Sequence, residues 1–446
     1  MNITLLGGGI ASISLSYFLQ NNKNIENIYI LEKESKIGGL LRSYKFGKIY
    51  YDVGPHIIFS KDKNNLKTIL SLLGKNKAKI RRSNKIIFNK KILIKYPFEN
   101  ELHKLPEEKL KYALKMFLNN SYKNIKAKNM KQFFLKTFGR GIMKLYLEPY
   151  NNKIWKYPIS KMDTQMVERI PKPPNRDILN SAKGIDSEGY KHQLYFNYPL
   201  KGGIESLFNS FKRRLNKKIK IYTNQKIIKI NKNNDFFTIY TNKKKFKSEM
   251  LISTIPLNYF YKIFRSDKKI VNYSKNLKYN SIYISVFKIK GDVAGNNFAF
   301  MIPDKDIIFH RISKLNFLGK NYSEKNYSFF EIEITFRKGS KIDKMKKNLI
   351  INKIISGLFK INFIKKRSDI HSYVLKKFEY AYVIYNLEHR KSVNNIINYY
   401  NKCGVKFLGR WGSWEYLNSD QVIKNAKLLS EDIINEIENK KINQLE

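Results

Sequence analysis

Two glycines near the start of the chain have the spacing of a turn that binds the phosphates of a dinucleotide. The segment ITLLGGGIASISLSYFLQ places Gly7 and Gly9 between a short apolar run and a stretch with helical spacing. In such a strand, turn and helix, the first glycine permits the reversal and the second lets backbone approach a pyrophosphate. The helix N-terminus adds free N–H groups. Ser12 stands where a third glycine is usual, and this small residue still allows close packing of helix and strand.

A carboxylate follows at the distance that this kind of fold requires. The second apolar run, residues 28–31, is followed directly by Glu32. A carboxylate at the end of that strand accepts hydrogen bonds from an adenosine ribose. The alternative is a glycine-rich turn in another α/β fold, because a lone glycine motif has low specificity. Here the strand, the helix and the acid are all in place, which favours a dinucleotide site.

Further motifs follow in a fixed order along the chain. Gly38 and Gly39 occur in ESKIGGLLRS, His56 occurs in YDVGPHIIFS, and Gly409 and Arg410 begin GRWGSWEYLNSDQ. This order resembles the FAD-binding superfamily that contains amine oxidases, protoporphyrinogen oxidase and UDP-galactopyranose mutase. The resemblance implies that the cofactor is FAD. It also implies that the double glycine lies close to FAD and that the histidine lies near the flavin ring.

The resemblance assigns residues from both ends of the chain to the FAD site. Arg410 matches an arginine that reaches the cofactor phosphates or the ribityl chain. His56 is the residue expected nearest the reacting flavin, with a buried histidine bonded to backbone as the alternative. The residues expected to contact FAD are Gly7, Gly9, Ile10, Ala11, Glu32, Lys33, Gly38, Gly39, Leu40, His56, Gly409, Arg410, Tyr416, Asn418, Asp420 and Gln421.

Within the superfamily, several stretches resemble the mutase more than the oxidases, among them HIIFS, YPFENEL, NNKIWKYP, VERI and GSWEY. Arg169 in VERI and Arg311 in FHRI match two arginines that bind the substrate diphosphate, and Tyr416 and Tyr382 match two tyrosines that reach it. Guanidinium groups suit this role because they are always charged and bind phosphate oxygens bidentately. The resemblance implies a nucleotide-sugar substrate, with reduced flavin as the nucleophile, and a place in polysaccharide biosynthesis.

Two other functions stay open, because a shared fold does not fix the reaction. One is an FAD-dependent oxidase or desaturase that removes hydride from an amine, porphyrinogen or isoprenoid-like substrate. The other is a basic binding protein that uses the nucleotide fold as a scaffold. The sequence has no G-x-S-x-G elbow, P-loop lysine or HExxH motif, and its histidines lack metal-ligand spacing, so we expect no metal site.

The composition is that of a globular protein with a large positive charge. The chain has 446 residues, 42% of them hydrophobic, which allows two or three domains. Its 86 Lys and Arg against 36 Asp and Glu give a net charge of +50. The lysines are spread along the whole chain, which favours compositional drift over a dedicated nucleic-acid surface. Peripheral contact with an anionic membrane stays open.

The cysteine content and the apolar runs bear on localisation. A single cysteine, Cys403, excludes an intramolecular disulfide and indicates a reducing compartment. We expect no signal peptide and no transmembrane segment, since no apolar run reaches the length of a bilayer span. The sequence therefore predicts a cytoplasmic protein with a small-molecule substrate, and it does not indicate the oligomeric state.

The order of the elements predicts an α/β protein, α+β overall, with a discontinuous FAD-binding domain. A Rossmann-like parallel sheet with an inserted β-meander is expected from residues 1–95, 196–265 and 391–446. Residues 96–195 predict a helical insert. Residues 266–390 predict an antiparallel sheet that floors the substrate site.

Periodicity also predicts the positions of individual elements. Apolar residues at helical spacing predict a helix over 64–73. The segment KIIFNKKILIKYPF predicts two strands joined by a turn at Asn89 and Lys90. A shorter apolar pattern predicts a strand at 307–312, and residues 379–385 are expected to carry the chain back towards the FAD-binding domain.

Overall fold

The structure, a computed structural model, describes residues 1–167, 173–185, 194–233 and 235–442. The described strands are β1 Asn2–Leu6, β2 Asn27–Leu31, β3 Tyr44–Phe46, β4 Ile49–Tyr51, β5 Ala78–Arg81, β6 Asn84–Phe88, β7 Ile92–Lys95, β8 Tyr195–Tyr198, β9 Ile219–Tyr222, β10 Ile227–Lys232, β11 Phe237–Thr241, β12 Lys245–Ser248, β13 Met250–Ser253, β14 Lys278–Lys290, β15 Ala299–Met301, β16 Arg311–Lys314, β17 Tyr327–Phe336, β18 Ile370–Ile384 and β19 Val405–Phe407.

The helices of the same part of the chain flank these strands. They are α1 Ile10–Leu19, α2 Lys63–Leu73, α3 Glu107–Leu118, α4 Met130–Ile142, α5 Glu148–Trp155, α6 Asn175–Ala182, α7 Glu205–Lys212, α8 Leu257–Ile263, α9 Lys268–Ser274, α10 Lys347–Lys360, α11 His389–Lys402, α12 Gly409–Gly412 and α13 Ser419–Ile442. Helix α2 confirms the helix predicted over 64–73. Among the described residues, no helix combines the length and the apolar character needed to cross a bilayer.

A parallel sheet with the strand order β19-β13-β1-β2-β9 forms the base of the region predicted to bind a dinucleotide. Its central strands are apolar on both faces, and Ile3, Ile28 and Ile252 are fully buried. Parallel sheets have such runs because helices or other layers cover both faces. The carboxyl ends of β1, β2 and β13 meet at one edge, so the residues after each of these strands lie together. This arrangement confirms the predicted Rossmann-like sheet.

A small antiparallel sheet, β10-β11-β12, follows β9 in the chain and precedes β13. It is the predicted β-meander, and β13 then rejoins the parallel sheet beside β1. Buried side chains of the meander, including Ile230 and Ile239, pack in the same core as Leu251 of the parallel sheet. The meander therefore packs against the parallel sheet.

A second large sheet has the order β18-β14-β17-β16-β15-β6-β7 and is antiparallel except where β15 meets β6. The hairpin of β6 and β7 confirms the predicted turn, in which Asn89 and Lys90 have positive φ values of 49° and 64°. These two strands extend the second sheet, although the sequence grouped them with residues 1–95. We therefore propose to count residues 84–95 with the antiparallel domain.

Two strands of this sheet differ from what the sequence indicated for these residues. Strand β16 begins at Arg311 rather than 307, because Ile307 and Phe309 are buried against Gly357 of α10 instead of pairing. Strand β18 runs over fifteen residues, far beyond 379–385, and pairs with β14 along its length. Its lysines and exposed positions weaken the apolar pattern, and hydrogen bonding to β14 extends the strand beyond the residues that such a pattern would indicate.

Candidate active site

A cleft of about 990 Å³ lies at the carboxyl edge of the parallel sheet. Its walls come from the turn after β1, the end of β2, the 39–42 segment, the end of β13 and the start of α12. Segments from both ends of the chain therefore meet around one space. The residues predicted for cofactor binding that line it are Gly7, Gly9, Ile10, Ala11, Glu32, Lys33, Gly39, Leu40, His56, Gly409 and Arg410.

The two glycines of the first turn have different environments. Gly7 has a φ of +95°, and a Cβ added there would lie 2.8 Å from Oγ1 of Thr254, so this glycine is required by the turn itself. Gly9 has a φ of −87° and is the N-cap of α1, without a side-chain cap. A Cβ added at Gly9 would meet nothing within 4 Å. The open space at Gly9 and the uncapped start of α1 together fit a bound phosphate.

Glu32 both shapes the turn and faces the cleft. Its Oε2 accepts a hydrogen bond from the backbone N–H of Gly8 at 2.8 Å, and its Oε1 accepts one from the backbone N–H of Glu34 at 2.9 Å. The carboxylate fixes the end of β2 against the glycine turn. A carboxylate has about four lone-pair sites, so these two bonds leave acceptor capacity for ligand hydroxyls.

Arg410 connects three segments at the far end of the cleft. Its Nε and Nη2 donate to the carbonyl of Leu417 at 2.9 and 2.8 Å, and its Nη1 donates to the carbonyl of Ala381 at 3.0 Å. Its guanidinium also lies 4.8 Å from the ring centroid of Tyr416. Gly409 beside it, with a φ of +84°, approaches α1 so closely that a Cβ would lie 2.8 Å from that of Ala11. The C-terminal motif is thereby fixed against the first helix.

A second, smaller cavity of about 130 Å³ adjoins the cleft. Leu40, His56 and Arg410 line both spaces. The side chains that line only the smaller one include Arg311, Tyr382, Tyr416 and Asn418. The fold therefore brings Arg311, both predicted tyrosines and His56 to one place, although they come from four distant parts of the sequence.

Arg311 is held by an acidic partner in this cavity. Its guanidinium pairs with the fully buried carboxylate of Glu333 through Nε and, at 2.8 Å, through Nη2. The hydroxyl of Tyr382 donates to Oε2 of Glu333 at 3.4 Å, and Gly54 lies against the pair. Burial alone would lower the pKa of the Arg311 guanidinium, but the negative charge of Glu333 raises it well above its ordinary value. The Arg311 guanidinium therefore stays charged beside this carboxylate.

His56 lies between the two arginines, at the junction of the spaces. Burial lowers the pKa of its imidazole to about 4, and the positive charge of Arg410 and, less strongly, of Arg311 contributes. A hydrogen bond with the backbone of Gly54 partly offsets this shift. His56 is therefore neutral at pH 7 and presents a polar group without charge.

The sequence analysis missed a group of buried carboxylates beneath this region. Glu331 and Glu333 face the same side of β17, and Asp52 lies near Glu331. Burial, with the charges of Glu333 and Asp52, raises the pKa of Glu331 well above its ordinary value. The signal in the sequence is the pattern FFEIEITF, in which two acids alternate with apolar residues of a buried strand.

The Asp52 carboxylate accepts several hydrogen bonds from the surrounding protein. Its carboxylate accepts hydrogen bonds from Ser43 Oγ and Tyr198 OH at 2.6 Å each, and from the backbone N–H of Ile204 at 3.3 Å. Burial raises its pKa to about 6 despite these bonds. A Cβ at Gly203 would lie 2.9 Å from this carboxylate, so the turn before α7 needs glycine there. Asp52 thus anchors the histidine loop to that turn.

The predicted residues that remain are Gly38, Asp420, Gln421 and Arg169. Gly38 supports the turn by donating its N–H to the carbonyl of Gly8 at 2.8 Å. Asp420 and Gln421 line neither cavity; the carbonyl of Asp420 accepts from Asn65 Nδ2, and the side chain of Gln421 accepts from the N–H of Asn418. Arg169 lies outside the described residues.

Comparisons with known proteins agree with this geometry. Residues 6–73 match the family described as NAD(P)-binding Rossmann-like domain. A solved structure of reduced UDP-galactopyranose mutase is 20% identical, with a TM-score of 0.87 over 97% of this chain and 95% of that one. A putative protoporphyrinogen oxidase from Exiguobacterium sp. 255-15 is 14% identical, with a TM-score of 0.77 over 98% and 99%. A putrescine oxidase double mutant is 12% identical, with a TM-score of 0.65 over 97% and 98%.

Proposed function

We propose that this chain, which has the fold of the FAD-dependent amine oxidase-like superfamily, is a flavoenzyme that acts on a nucleotide sugar or a similar diphosphate. One observation carries the proposal. Arg311, Tyr382 and Tyr416 line a small cavity that adjoins the proposed cofactor cleft at His56 and Arg410. The likeness to the protein named UDP-galactopyranose mutase extends over nearly the whole chain, which supports a substrate of that class.

The residues of the cleft fit FAD as the cofactor. The open side of Gly9 and the uncapped start of α1 would hold the pyrophosphate, and Glu32 would accept hydrogen bonds from a ribose. Gly39 and Gly409 would line the path of the cofactor between the two ends of the chain. When bound, a flavin supplies the redox and nucleophilic chemistry that side chains lack.

The side chains of the small cavity would bind and orient the substrate. Glu333 fixes the Arg311 guanidinium through Nε and Nη2, which leaves Nη1 without a protein partner among the described residues. That group would donate to a phosphate oxygen, and the hydroxyl of Tyr382 lies beside it. The neutral imidazole of His56 would contribute a hydrogen bond without adding charge.

One observation favours the oxidase or desaturase as a second candidate. The buried carboxylate of Glu333 neutralises Arg311, which weakens its attraction for a diphosphate. An uncharged or apolar substrate would not need the positive charge of Arg311 for binding. The two candidates therefore differ in whether Arg311 binds the substrate or only supports the fold.

The cofactor is tested by the visible spectrum of the purified protein and by a glycine substitution. We expect absorbance at the flavin bands, either on purification or after reconstitution with FAD. Gly9→Ala is expected to keep the thermal stability, since Gly9 has an ordinary φ and open space, yet to weaken FAD binding by roughly tenfold or more. Gly7→Ala, by contrast, is expected to lower stability. A protein that never binds flavin, or a Gly9→Ala variant with unchanged FAD affinity, contradicts the assignment.

The substrate is tested on dithionite-reduced protein with candidate nucleotide sugars, by product analysis, and with UDP, by binding titration. Arg311→Lys keeps the charge next to Glu333 but loses the bidentate fork, so we expect UDP affinity to fall by roughly tenfold. Arg337→Lys is the matched control, because Arg337 is a partly buried arginine that lines neither cavity. Turnover of an amine or porphyrinogen with no response to UDP would instead establish the oxidase candidate.

A further inference from the structure

A third cavity, of about 620 Å³, shares no lining residue with the two cavities of the candidate active site. It lies between α5, the connection from β15 to β16, the 341–345 segment and α10. Its lining is dominated by one residue type. The lysines that line it are Lys153, Lys156, Lys305, Lys341, Lys353 and Lys360.

The positive charge of this cavity is compensated only in part by the protein. Lysines make up six of its fourteen lining residues, whereas Lys and Arg together are 86 of the 446 residues in the chain. Asp306 is the one acid in the lining, which leaves a formal excess of five positive charges, and its carboxylate already bonds Lys360 and Lys90 at 2.7 Å. Within the described part of the chain, Lys156, Lys305, Lys341 and Lys353 form no ion pair. The lysine content of the chain as a whole does not explain such a concentration.

Lys153 is built into the wall of the cavity rather than exposed at its rim. Its Nζ donates to the carbonyls of Ile302 and Asp304 at 2.8 Å each, and its side chain is buried. Burial, together with the charge of Lys156, lowers the pKa of Lys153 to about 7, although Asp304 and Asp306 oppose this shift. Burial also lowers the pKa of Lys156. The fold thus holds two ammonium groups in an unfavourable environment that a bound anion would relieve.

We propose that this cavity binds a small anion that carries two or more phosphate groups. Ammonium groups are natural partners of phosphate oxygens, and several of them around one concavity match a multiply charged ligand better than a single carboxylate. The lysines converge on a hollow, whereas nucleic acid or a membrane would require a continuous outer face. Ile308, Ile342 and Met345 also line the cavity and would accommodate an apolar part of the ligand.

The test uses the full chain saturated with FAD, so that the cofactor cleft does not compete for the probe. Inorganic tripolyphosphate is titrated calorimetrically at physiological salt into the wild type and into Lys341→Gln/Lys353→Gln. Lys344→Gln/Lys347→Gln is the matched control, since both lysines are exposed, lie close in sequence and line none of the three cavities. Both variants remove the same charge, and both replace exposed side chains, which keeps the fold intact.

We expect saturable binding by the wild type, a loss of roughly tenfold or more in the cavity variant, and a change below about twofold in the control. Equal losses in the two variants would show a general effect of net charge and overturn the proposal, as would the absence of saturable binding. A second arm uses vesicles of phosphatidylserine and phosphatidylcholine. Vesicle binding that depends on Lys341 and Lys353 and resists tripolyphosphate would also overturn it, in favour of a lipid headgroup.

Discussion

The cofactor cleft and the small cavity beside it each contain an arginine, but the two guanidinium groups are held by different partners. Arg410 donates to the backbone carbonyls of Leu417 and Ala381, which carry no formal charge. Arg311 pairs with the carboxylate of Glu333. The hydrogen bonds described here for Arg410 thus go to backbone carbonyls, whereas Arg311 forms an ion pair with a buried carboxylate.

His56 lies near both groups, and the positive charges of both arginines lower its pKa. Among the charges that lower its pKa, that of Arg410 has the larger effect and that of Arg311 the smaller. The comparison teaches that an arginine in a cavity is not automatically an anion site, because its partner decides how much of its charge a ligand meets.

The largest expected effect comes from removing Arg311. In Arg311→Met, Glu333 is left as an uncompensated buried charge, and we expect the free energy of unfolding to fall by about 3 to 5 kcal/mol. Arg311→Met/Glu333→Leu is expected to recover most of the loss, because an apolar pair of similar volume replaces the ion pair. Urea unfolding of the three proteins measures both changes. Equal losses in the single and double variants would mean that the loss of stability does not come from leaving the Glu333 carboxylate unpaired.

A smaller effect is expected for Arg410, because the carbonyls that accept its hydrogen bonds carry no formal charge. Arg410→Met leaves the carbonyls of Leu417 and Ala381 without this donor, and we expect a loss of about 2 to 3 kcal/mol in the same unfolding measurement. FAD retention is expected to fall as well, because the turn before α13 loses its support. A loss as large as that of Arg311→Met would remove the contrast between the two sites.

The pH dependence of stability sharpens the comparison through His56. Its folded-state pKa of about 4 lies below the ordinary histidine value of 6.5, so the unfolded chain binds more protons between these values. The contribution of His56 is therefore present above pH 6.5 and is lost as the pH falls towards 4. Asp52, with its pKa raised to about 6, acts in the opposite direction.

Comparison of the wild type with His56→Asn separates the contribution of His56 from that of Asp52. We expect the stability difference in favour of the wild type to grow by about 1 to 2 kcal/mol from pH 4 to 6.5, reduced from the full linkage value by partial solvent exposure. Thermal unfolding at several pH values measures it. In an Arg410→Met background this pH-dependent difference should shrink more than in Arg311→Met/Glu333→Leu. The reverse order would contradict the larger effect of Arg410 on the pKa of His56.

The smallest effect is expected for Tyr382. Tyr382→Phe removes only the 3.4 Å hydrogen bond to Glu333, so we expect a stability loss below about 1 kcal/mol. If the proposed substrate site is correct, the same variant weakens UDP binding. Tyr380→Phe is the control, because its hydroxyl donates to Asn258 instead. Equal UDP affinity in the two variants would show that the Tyr382 hydroxyl does not contribute to substrate binding.

Local features of the sequence were sufficient to predict the glycine turn and the carboxylate that line the large cleft. The turn at Gly7 and Gly9 and the carboxylate of Glu32 occur within one strand, turn, helix and strand unit, where neighbours in sequence are neighbours in space. The hairpin turn at Asn89 and Lys90 is local in the same way. In these places residue type and spacing already determine the geometry, because few chain conformations can satisfy them.

Only the tertiary structure decided the partners of the two arginines. Arg311 meets Glu333 because the register of β16 on β17 sets them directly opposite one another. Arg410 meets the carbonyl of Ala381 because β18 passes beside α12. The same holds for β6 and β7, whose membership of the second sheet depends on pairing with β15 far along the chain. Such contacts depend on strand register and packing between distant segments, which the spacing of residues along one segment does not encode.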